Sequence, residues 1–277
     1  MNTTPPQHYY FSMPKLAFYV TLKCNLRCKL CAVYAPYYMN PFHPDVKYLC
    51  KCLDRYFEIV DYCQLFSISG GEPLIRKDLP EVVEYIHTYN DKIGKLEIIT
   101  NGTVIPSDKL LESLTLFGNK LNLLVDDYGI NKSVNAARVV ARFRTIEHAK
   151  ITHRDYYSSY AHCGGWVDYG ISINSKKKTR SASKALFKNC SYPQKLDFCT
   201  SMVDGKLYSC TQLRRLIELG VVQPELNEVF DLFDFNYSND EIRRRISALY
   251  NVDCLSACAY CNGICDDSPR YPAAEQL

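Results

Sequence analysis

The feature that most constrains this chain is a group of three cysteines in one short loop that follows an apolar run. Cys24, Cys28 and Cys31 have the spacing C-x3-C-x2-C, and the run over residues 16–20 before them is typical of a buried strand. Three thiolates this close together can bind three corners of an iron–sulfur cube, because cysteine sulfur is the usual ligand of such clusters. The fourth iron would lack a protein ligand, and an open metal position indicates a reactive site rather than a structural one.

A second motif follows the next predicted strand, residues 65–69, and reads Gly70-Gly71-Glu72-Pro73. Paired glycines let the backbone approach a ligand closely. The Glu72 carboxylate can accept a charge-assisted hydrogen bond from an ammonium group, and Pro73 fixes the turn after it. Alone, the four residues are also typical of a surface turn. One strand after the cysteine loop, they indicate a cofactor site.

With these two motifs the chain resembles the radical S-adenosylmethionine (SAM) superfamily. The resemblance implies that the cysteine loop binds a 4Fe–4S cluster whose open iron chelates SAM, and that Glu72 receives the SAM ammonium group. It also implies contacts to SAM from Thr100 and Asn101 after the third strand, where a plain β-turn is an equal explanation. Family members usually have an aromatic residue before the third cysteine, where this chain has Leu30. Adenine would then pack on Leu30 or on a neighbour such as Tyr34.

Charge and composition exclude several classes of protein. The net charge of +3 is too weak to indicate a nucleic-acid or anionic-membrane partner. No apolar run is long enough to span a membrane, and no charged-then-apolar signal segment precedes the first strand. Fourteen cysteines in 277 residues favour metal binding in a reducing cytoplasm over a secreted disulfide scaffold. We therefore expect a cytoplasmic protein.

Strand-like and helix-like segments alternate from residue 15 to about 185, which predicts a parallel sheet with crossover helices. The candidate strands are 15–22, 65–69, 95–100, 120–126, 147–152 and 166–173, and the candidate helices are 45–63, 77–90, 106–117 and 131–144. With the resemblance, this pattern implies an α/β fold, a partial (β/α)6 TIM-like barrel with its active face at the carboxyl ends of the strands. We expect an N-terminal arm over residues 1–14, the barrel over 15–185 and an auxiliary iron–sulfur domain over 186–277, with a linker at 174–184.

A second group of seven cysteines lies between residues 190 and 265. Their opening spacing resembles the twitch and SPASM auxiliary-cluster modules of the superfamily, in which a β-hairpin and a helix carry the ligands. The segment 196–210 predicts such a hairpin, with its turn at Asp204-Gly205. The four expected ligands, enough to saturate one auxiliary 4Fe–4S cluster, are Cys190, Cys210, Cys258 and Cys261. A zinc site built from the same four thiols is the alternative. The cysteines that could replace one of them are Cys199, Cys254 and Cys265.

The resemblance implies that the reduced first cluster splits SAM and that a 5′-deoxyadenosyl radical takes a hydrogen atom from the substrate. With an auxiliary cluster to receive an electron, we expect oxidation of a carbinol on a small sugar, aminocyclitol or nucleotide-linked substrate. Flavodoxin or ferredoxin would be the electron donor. The alternatives are a radical epimerase, a peptide-modifying maturase and a non-catalytic iron–sulfur electron carrier. The maturase is disfavoured because the first strand begins too early for a recognition domain to precede it.

Polar residues at the predicted strand ends are the candidates for substrate binding and for a base that removes the hydroxyl proton. They are Asp126, Asp127, His153 and Arg154. Alternation along a strand would point only some of them inward. Cys163 is a candidate hydrogen donor for an epimerase, although burial as a small apolar residue is the favoured explanation. Arg214 and Arg215 follow Cys210 and would meet an anionic substrate group or lie on a solvated helix face.

Overall fold

A computed structural model describes residues 10–158 and 162–277 of the chain. Within these ranges the strands form one sheet of eight with the order β5-β4-β3-β2-β1-β6-β7-β8. The strands are β1 Ser12–Thr21, β2 Tyr62–Gly70, β3 Ile93–Thr100, β4 Leu121–Asp127, β5 Lys150–Asp155, β6 Ser201–Val203, β7 Lys206–Tyr208 and β8 Val229–Asp231. Every pair from β5 to β6 is parallel, whereas β6–β7 and β7–β8 are antiparallel.

The helices begin where the sequence supplies capping side chains. Asp45, Ser107, Thr179 and Ser238 each accept a hydrogen bond from the third backbone N–H of the helix that follows. The α-helices are α1 Val46–Ile59, α2 Leu79–His87, α3 Asp108–Thr115, α4 Ala136–Phe143, α5 Arg180–Asn189, α6 Ser191–Lys195, α7 Thr211–Glu218 and α8 Asn239–Leu249. In the described part of the chain, none is long and apolar enough to cross a bilayer.

One large core lies between the sheet and helices α1–α4, because alternate residues of each strand are apolar and point towards the helices. On β4 these are Leu121, Leu123 and Val125, which belong to the same core as Leu114 of α3 and Phe143 of α4. A smaller core in the C-terminal third joins α5, α7 and α8. The alternation leaves the other face of the parallel strands free to carry polar side chains.

The predicted α/β partial barrel is the observed fold, and its first five strands and four helices are present with bounds shifted by a few residues. The predicted sixth strand, 166–173, is wrong. That segment makes an isolated antiparallel bridge from Trp166 to Tyr271, and Gly165 and Gly170 have φ values of 113° and 66°, which interrupt an extended run. The sixth parallel strand is β6, which pairs with β1 on the opposite side of the sheet from β2.

The predicted hairpin in the C-terminal third is present as β6 and β7. Asp204 and Gly205 have φ values of 50° and 67°, the conformation that a two-residue hairpin turn requires. The predicted linker is partly wrong, because its last residues form the start of α5 from Arg180. The expected arm is also shorter than predicted, since β1 already begins at Ser12, and residues 1–9 lie outside the described residues. The domain boundary near residue 185 stays a prediction, since β6 continues the barrel's sheet beyond it.

Candidate active site

The cysteine loop is fastened to the end of β2 by backbone contacts. Gly71 N donates to Thr21 O at 2.8 Å, and Glu72 N donates to Lys23 O at 2.9 Å. A Cβ at Gly71 would lie 2.1 Å from Lys23 O, and one at Gly70 would lie 2.0 Å from Thr21 O. The close approach that requires glycine is thus to the backbone at the start of the cysteine loop, not to a ligand as the sequence indicated. The paired glycines fix where that loop begins.

Three thiols of this loop share one poorly solvated region. Burial raises the pKa of Cys24 to about 12 and that of Cys28 to about 11, and the neighbouring Cys31 thiolate adds to both shifts. Bound iron would reverse this penalty, because a thiol that coordinates a metal is deprotonated. In the described residues no three His, Cys, Asp or Glu side chains converge as ligands of a single ion. A cube does not need such convergence, since each thiolate binds a different iron, so this donor set fits a cluster.

Glu72 is held by three hydrogen-bond donors. Its Oε1 accepts from Leu74 N at 2.9 Å and from Thr100 Oγ1 at 2.8 Å, and its Oε2 accepts from Asn101 N at 2.7 Å. Pro73, the next residue, starts a short 3-10 turn and is buried. Burial still raises the pKa of Glu72 to about 7, against the opposing effect of these hydrogen bonds. A cation placed against this carboxylate would favour its ionised form.

Thr100 and Asn101 therefore position Glu72 in addition to lying at the end of β3. Asn101 also reaches the cysteine loop, because its Nδ2 donates to Asn25 Oδ1 at 3.1 Å and lies 3.7 Å from Cys24 Sγ. The cysteine loop, the Gly70–Pro73 motif and the end of β3 are thereby joined in one hydrogen-bonded unit. Sequence spacing alone placed these residues at strand ends but did not show that they contact one another.

Leu30 and Tyr34, the two residues expected near adenine, line the same cleft beside Cys31. The cleft has a volume of about 340 Å³. Residues 167–173 form part of its wall and supply the buried side chains Val167 and Tyr169. The segment that failed to form a sixth strand still forms part of the active face.

The strand-end candidates divide between the two faces of the sheet. Asp126 and Arg154 are direct cross-strand partners, and Arg154 Nη2 donates to Asp126 Oδ2 at 2.8 Å as part of a bidentate pair. Burial raises the pKa of Asp126 despite Arg154. Asp127 lies two residues after the helix-facing Val125, so its side chain is on the helix side of the sheet. Its Oδ1 accepts a hydrogen bond from Gly129 N at 2.9 Å, and its Oδ2 lies 2.9 Å from His153 Nε2. The structure thus brings Asp126 and Arg154 together and separates them from Asp127 and His153.

Sequence reasoning missed a polar layer on the inner face of the strands. Glu97, only 6% exposed, accepts hydrogen bonds from Ser67 Oγ at 2.8 Å and from Asn122 Nδ2 at 2.9 Å. The signal was present, because each of these residues stands alone between apolar neighbours on a predicted strand. A buried polar residue with period-two spacing on adjacent strands indicates a shared inner face.

Aromatic side chains surround the Asp126–Arg154 pair. Tyr128 packs edge to face on Trp166, with the ring centroids 5.5 Å apart, and the Tyr156 and His162 centroids are 5.4 Å apart. Burial, helped by the Arg154 cation, lowers the pKa of His162, so its imidazole is neutral near pH 7 and can accept a proton. His162 was not among the sequence candidates.

Cys163 follows His162 at the same end of the barrel and is exposed, with φ of 55°. The favoured expectation of a small buried residue is therefore wrong. Cys163 is near Tyr156, because its thiolate charge would add to the rise in the pKa of that phenol that burial causes.

The four cysteines expected to hold an auxiliary cluster line one common cavity. Cys190 follows α5, and Cys210 precedes α7. Cys258 lies in a short 3-10 turn, and Cys261 follows that turn. The other walls are largely apolar, and burial raises the pKa of Cys258 and of Cys261 to about 12. The Ser209 hydroxyl also lines the cavity and has no hydrogen-bond partner in the described part of the chain. A cavity with four thiols and an unpaired hydroxyl fits a bound cluster.

The spare cysteines are placed differently. Cys254 lines a separate surface groove, and Cys265 is buried but does not line the four-thiol cavity. The side chain of Cys199 lies outside what the structure describes. The cavity thus favours the four expected ligands over these replacements.

Arg214 connects α7 to the cysteine loop. Its side chain is fully buried, and its Nη2 donates to Val33 O at 3.0 Å, two residues after Cys31. Its Nη1 donates to Tyr38 Oη at 2.5 Å and to Glu218 Oε1 at 2.7 Å. The guanidinium opposes the rise in the pKa of Cys31 that burial causes. Neither a solvated helix face nor an anionic substrate group accounts for this buried position.

Comparison with known proteins agrees with this geometry. Residues 18–153 match the family model of the Radical SAM superfamily. A probable GTP 3′,8-cyclase of Methanococcus vannielii is 32% identical over 108 residues, which are 39% of this chain and 34% of that protein. A S-adenosylmethionine-dependent nucleotide dehydratase of Selenomonas ruminantium is 30% identical over 103 residues, 35% of this chain and 33% of that protein. The chain thus spans about a third of the length of these curated relatives.

A solved structure matches along nearly the whole chain. The crystal structure of BtrN in complex with AdoMet and 2-DOIA aligns over 94% of this chain and 97% of that chain, with a TM-score of 0.53 and 16% identity. At this identity the likeness shows the fold alone. It covers the C-terminal third as well as the barrel.

Proposed function

Since the chain belongs to the radical SAM superfamily, as the match over residues 18–153 and its two motifs show, we propose that it is a radical SAM dehydrogenase with an auxiliary cluster. Its substrate would be a small polar molecule such as a sugar, a cyclitol or a nucleotide-linked derivative. The reaction would convert a carbinol carbon to a carbonyl. A flavodoxin or ferredoxin in the cytoplasm would supply the first electron.

The observation that carries this proposal is the four-thiol cavity in the C-terminal third. Four cysteines saturate a 4Fe–4S cluster, so such a cluster has no position for SAM and is suited to electron transfer. Cys24, Cys28 and Cys31 provide the incomplete set that leaves one iron open. When bound there, cluster and SAM supply a 5′-deoxyadenosyl radical that removes a hydrogen atom from the substrate carbon.

Oxidation of the carbinol requires groups that remove a hydrogen atom, a proton and an electron, and the candidate active site offers a residue for the proton. After the carbinol carbon loses a hydrogen atom, the carbonyl forms when the hydroxyl proton and one further electron leave. The auxiliary centre would take the electron. His162, whose pKa is lowered, is the candidate acceptor of the proton, and the ionic pair of Asp126 and Arg154 would orient the hydroxyl groups.

Iron content after anaerobic reconstitution tests the two-cluster premise. We expect about eight irons per chain in the wild type and about four in the Cys24/Cys28/Cys31→Ala variant. A Cys50→Ala variant is the matched control, because Cys50 lies on α1 outside both sets. About four irons in the wild type, falling to none in the triple variant, would leave no auxiliary electron acceptor and would overturn the dehydrogenase.

Solvent labelling separates the dehydrogenase from the epimerase. In D2O a dehydrogenase gives a carbonyl product without carbon-bound deuterium, whereas an epimerase returns a solvent-derived deuterium to carbon. The exposed Cys163 is the residue that favours the second outcome, and Cys163→Ser would abolish the label if it is the donor. Absence of 5′-deoxyadenosine under reduction with any sugar, cyclitol or nucleotide substrate would instead revive the non-catalytic carrier.

A further inference from the structure

Residues Tyr271–Leu277, here called the strap, contact loops at the carboxyl ends of three parallel strands. At one end Tyr271 and Trp166 exchange backbone hydrogen bonds of 2.8 and 2.9 Å. In the middle Lys132 Nζ, after β4, donates to Ala273 O at 3.1 Å. At the other end Lys29 N donates to Glu275 O at 2.7 Å. The strap therefore joins loops that follow β5, β4 and β1.

The strap is a built element rather than a loose segment. Ala273 and Ala274 are 6% and 0% exposed, and Ala274 has φ of 51°. An alanine in the left-handed region is strained, and surrounding contacts must hold it there. The turn at Ala274 aims the next residues at the cysteine loop, where Gln276 forms an antiparallel bridge with Cys28.

The side chain of Gln276 has its orientation fixed by its partners. The side-chain atom that faces Arg27 N, at 2.7 Å, must accept a hydrogen bond and is therefore the oxygen Oε1. The second terminal atom of the amide is then the nitrogen Nε2. That nitrogen, Nε2, donates to Ala274 O at 2.8 Å and to Cys28 Sγ at 3.4 Å. Hydrogen bonds to cysteine sulfur are among the factors that set the reduction potential of an iron–sulfur cluster.

We propose that Gln276 is a positioning residue for the SAM-binding cluster, which donates a hydrogen bond to the Cys28 sulfur and raises the cluster's reduction potential. The reduction potential should rise because the reduced cluster is more negative than the oxidised one and therefore accepts the hydrogen bond more strongly. Partners beyond the ligands themselves commonly tune a metal centre in this way. The inference rests on the proposed function, since it requires a cluster at Cys28.

The test is a reductive titration followed by electron paramagnetic resonance on the reconstituted protein. The signal that changes when SAM is added identifies the cluster at Cys28. We expect a more negative midpoint potential for Gln276→Leu and for Gln276→Glu. Gln276→Glu keeps an acceptor for Arg27 N, so the strap stays attached while the donor is lost. Glu275→Gln is the matched control on the strap and should keep the wild-type midpoint.

A Gln276→Leu protein with the wild-type midpoint would overturn the inference. So would a Gln276→Glu protein that fails to bind iron at the loop, because the residue would then hold the loop rather than tune the cluster. A wild-type protein with no SAM-responsive signal would refute the proposed function itself. The two failures are therefore distinguishable.

Discussion

The Tyr34 hydroxyl donates a hydrogen bond to the side-chain oxygen of Gln212, and this contact ties the two cysteine sites together. Tyr34 lies three residues after Cys31, and Gln212 lies two residues after Cys210. Tyr34 has φ of 61°, a costly conformation for a bulky residue. The strain is retained because the ring and hydroxyl are held by α7. The loop that carries Cys24, Cys28 and Cys31 and the first turn of α7 therefore form one packed unit.

Breaking this contact should measure how strongly the two sites are coupled. We expect Tyr34→Phe and Gln212→Met each to lower the free energy of unfolding by about 1–2 kcal/mol, because a buried polar group is left unpaired. A double-mutant cycle by denaturant unfolding should give a coupling of about 1 kcal/mol. Tyr37→Phe, which removes an exposed hydroxyl bonded to Lys29 O, is the control and should cost less than about 0.5 kcal/mol. Additive single effects would contradict the coupling.

The raised pKa of Glu72 predicts a stability that falls as the pH rises. The native carboxyl, with its pKa raised by burial from the ordinary 4.5 to about 7, binds its proton more tightly than the unfolded chain does. The free energy of unfolding of the cluster-free protein should therefore decrease between about pH 4.5 and 7, by roughly 3 kcal/mol from this group.

Glu72→Gln isolates the contribution of Glu72, because the buried Asp126 also has a raised pKa and contributes with the same sign. The variant should be less stable at low pH, since an amide cannot accept from all three donors, but its pH slope in this window should be smaller. Chemical denaturation at a series of pH values gives both curves. Parallel curves would show that Glu72 does not titrate in this range.

Substitution of Gly71 should damage the SAM site selectively. A Cβ there would lie 2.1 Å from Lys23 O, and this backbone oxygen cannot rotate away, so Gly71→Ala should cost about 3 kcal/mol and displace the cysteine loop. Iron content should fall by about four, with the auxiliary centre retained. Gly118→Ala is the control, because a Cβ at Gly118 would meet no atom within 4 Å. Its φ of 52° should lower the free energy of unfolding by about 1 kcal/mol, and the iron content should stay complete. Equal iron content in both variants would contradict the role of Gly71.

The proposed auxiliary ligands can be distinguished from a spare cysteine on the same segment. Cys258→Ser should lose the auxiliary centre, because Cys258 lines the four-thiol cavity, whereas Cys254→Ser should keep it. The measurement is iron and zinc content together with the visible absorption of the reconstituted proteins. Zinc in place of iron in the wild type would show that the cavity is a zinc site. Loss of the centre in Cys254→Ser would show that the ligand set is different.

The two neighbouring aspartates should differ in their effect on activity. Asp126→Asn removes the partner of Arg154 on the inner face, and we expect substrate-dependent 5′-deoxyadenosine formation to fall by about a hundredfold. Asp127→Asn changes a group on the helix-facing side that holds Gly129 N and should leave the rate within about twofold. Liquid chromatography of quenched reactions measures both. A larger loss in Asp127→Asn would mean that the substrate lies on the other side of the sheet.

Features that depend on short spacing along the chain could be predicted from the order of residues. Cys24, Cys28 and Cys31 share one loop, Glu72 follows the glycine pair, and the turn at Asp204-Gly205 makes the hairpin. Each follows from local geometry, which a few adjacent residues fix. The alternation of strand-like and helix-like segments also predicted the parallel sheet, because parallel strands need crossover connections, which are usually helices.

Which distant segments complete the candidate active site depends on how the whole chain packs. The sixth parallel strand is β6 rather than residues 166–173, because its pairing with β1 joins residues about 180 positions apart and no local pattern specifies it. The face of Asp126 depends on the register of β4, and the contact of Gln276 with Cys28 depends on the path of the strap. These relationships are set by long-range packing, in which a single register shift or strained turn changes which side chains meet.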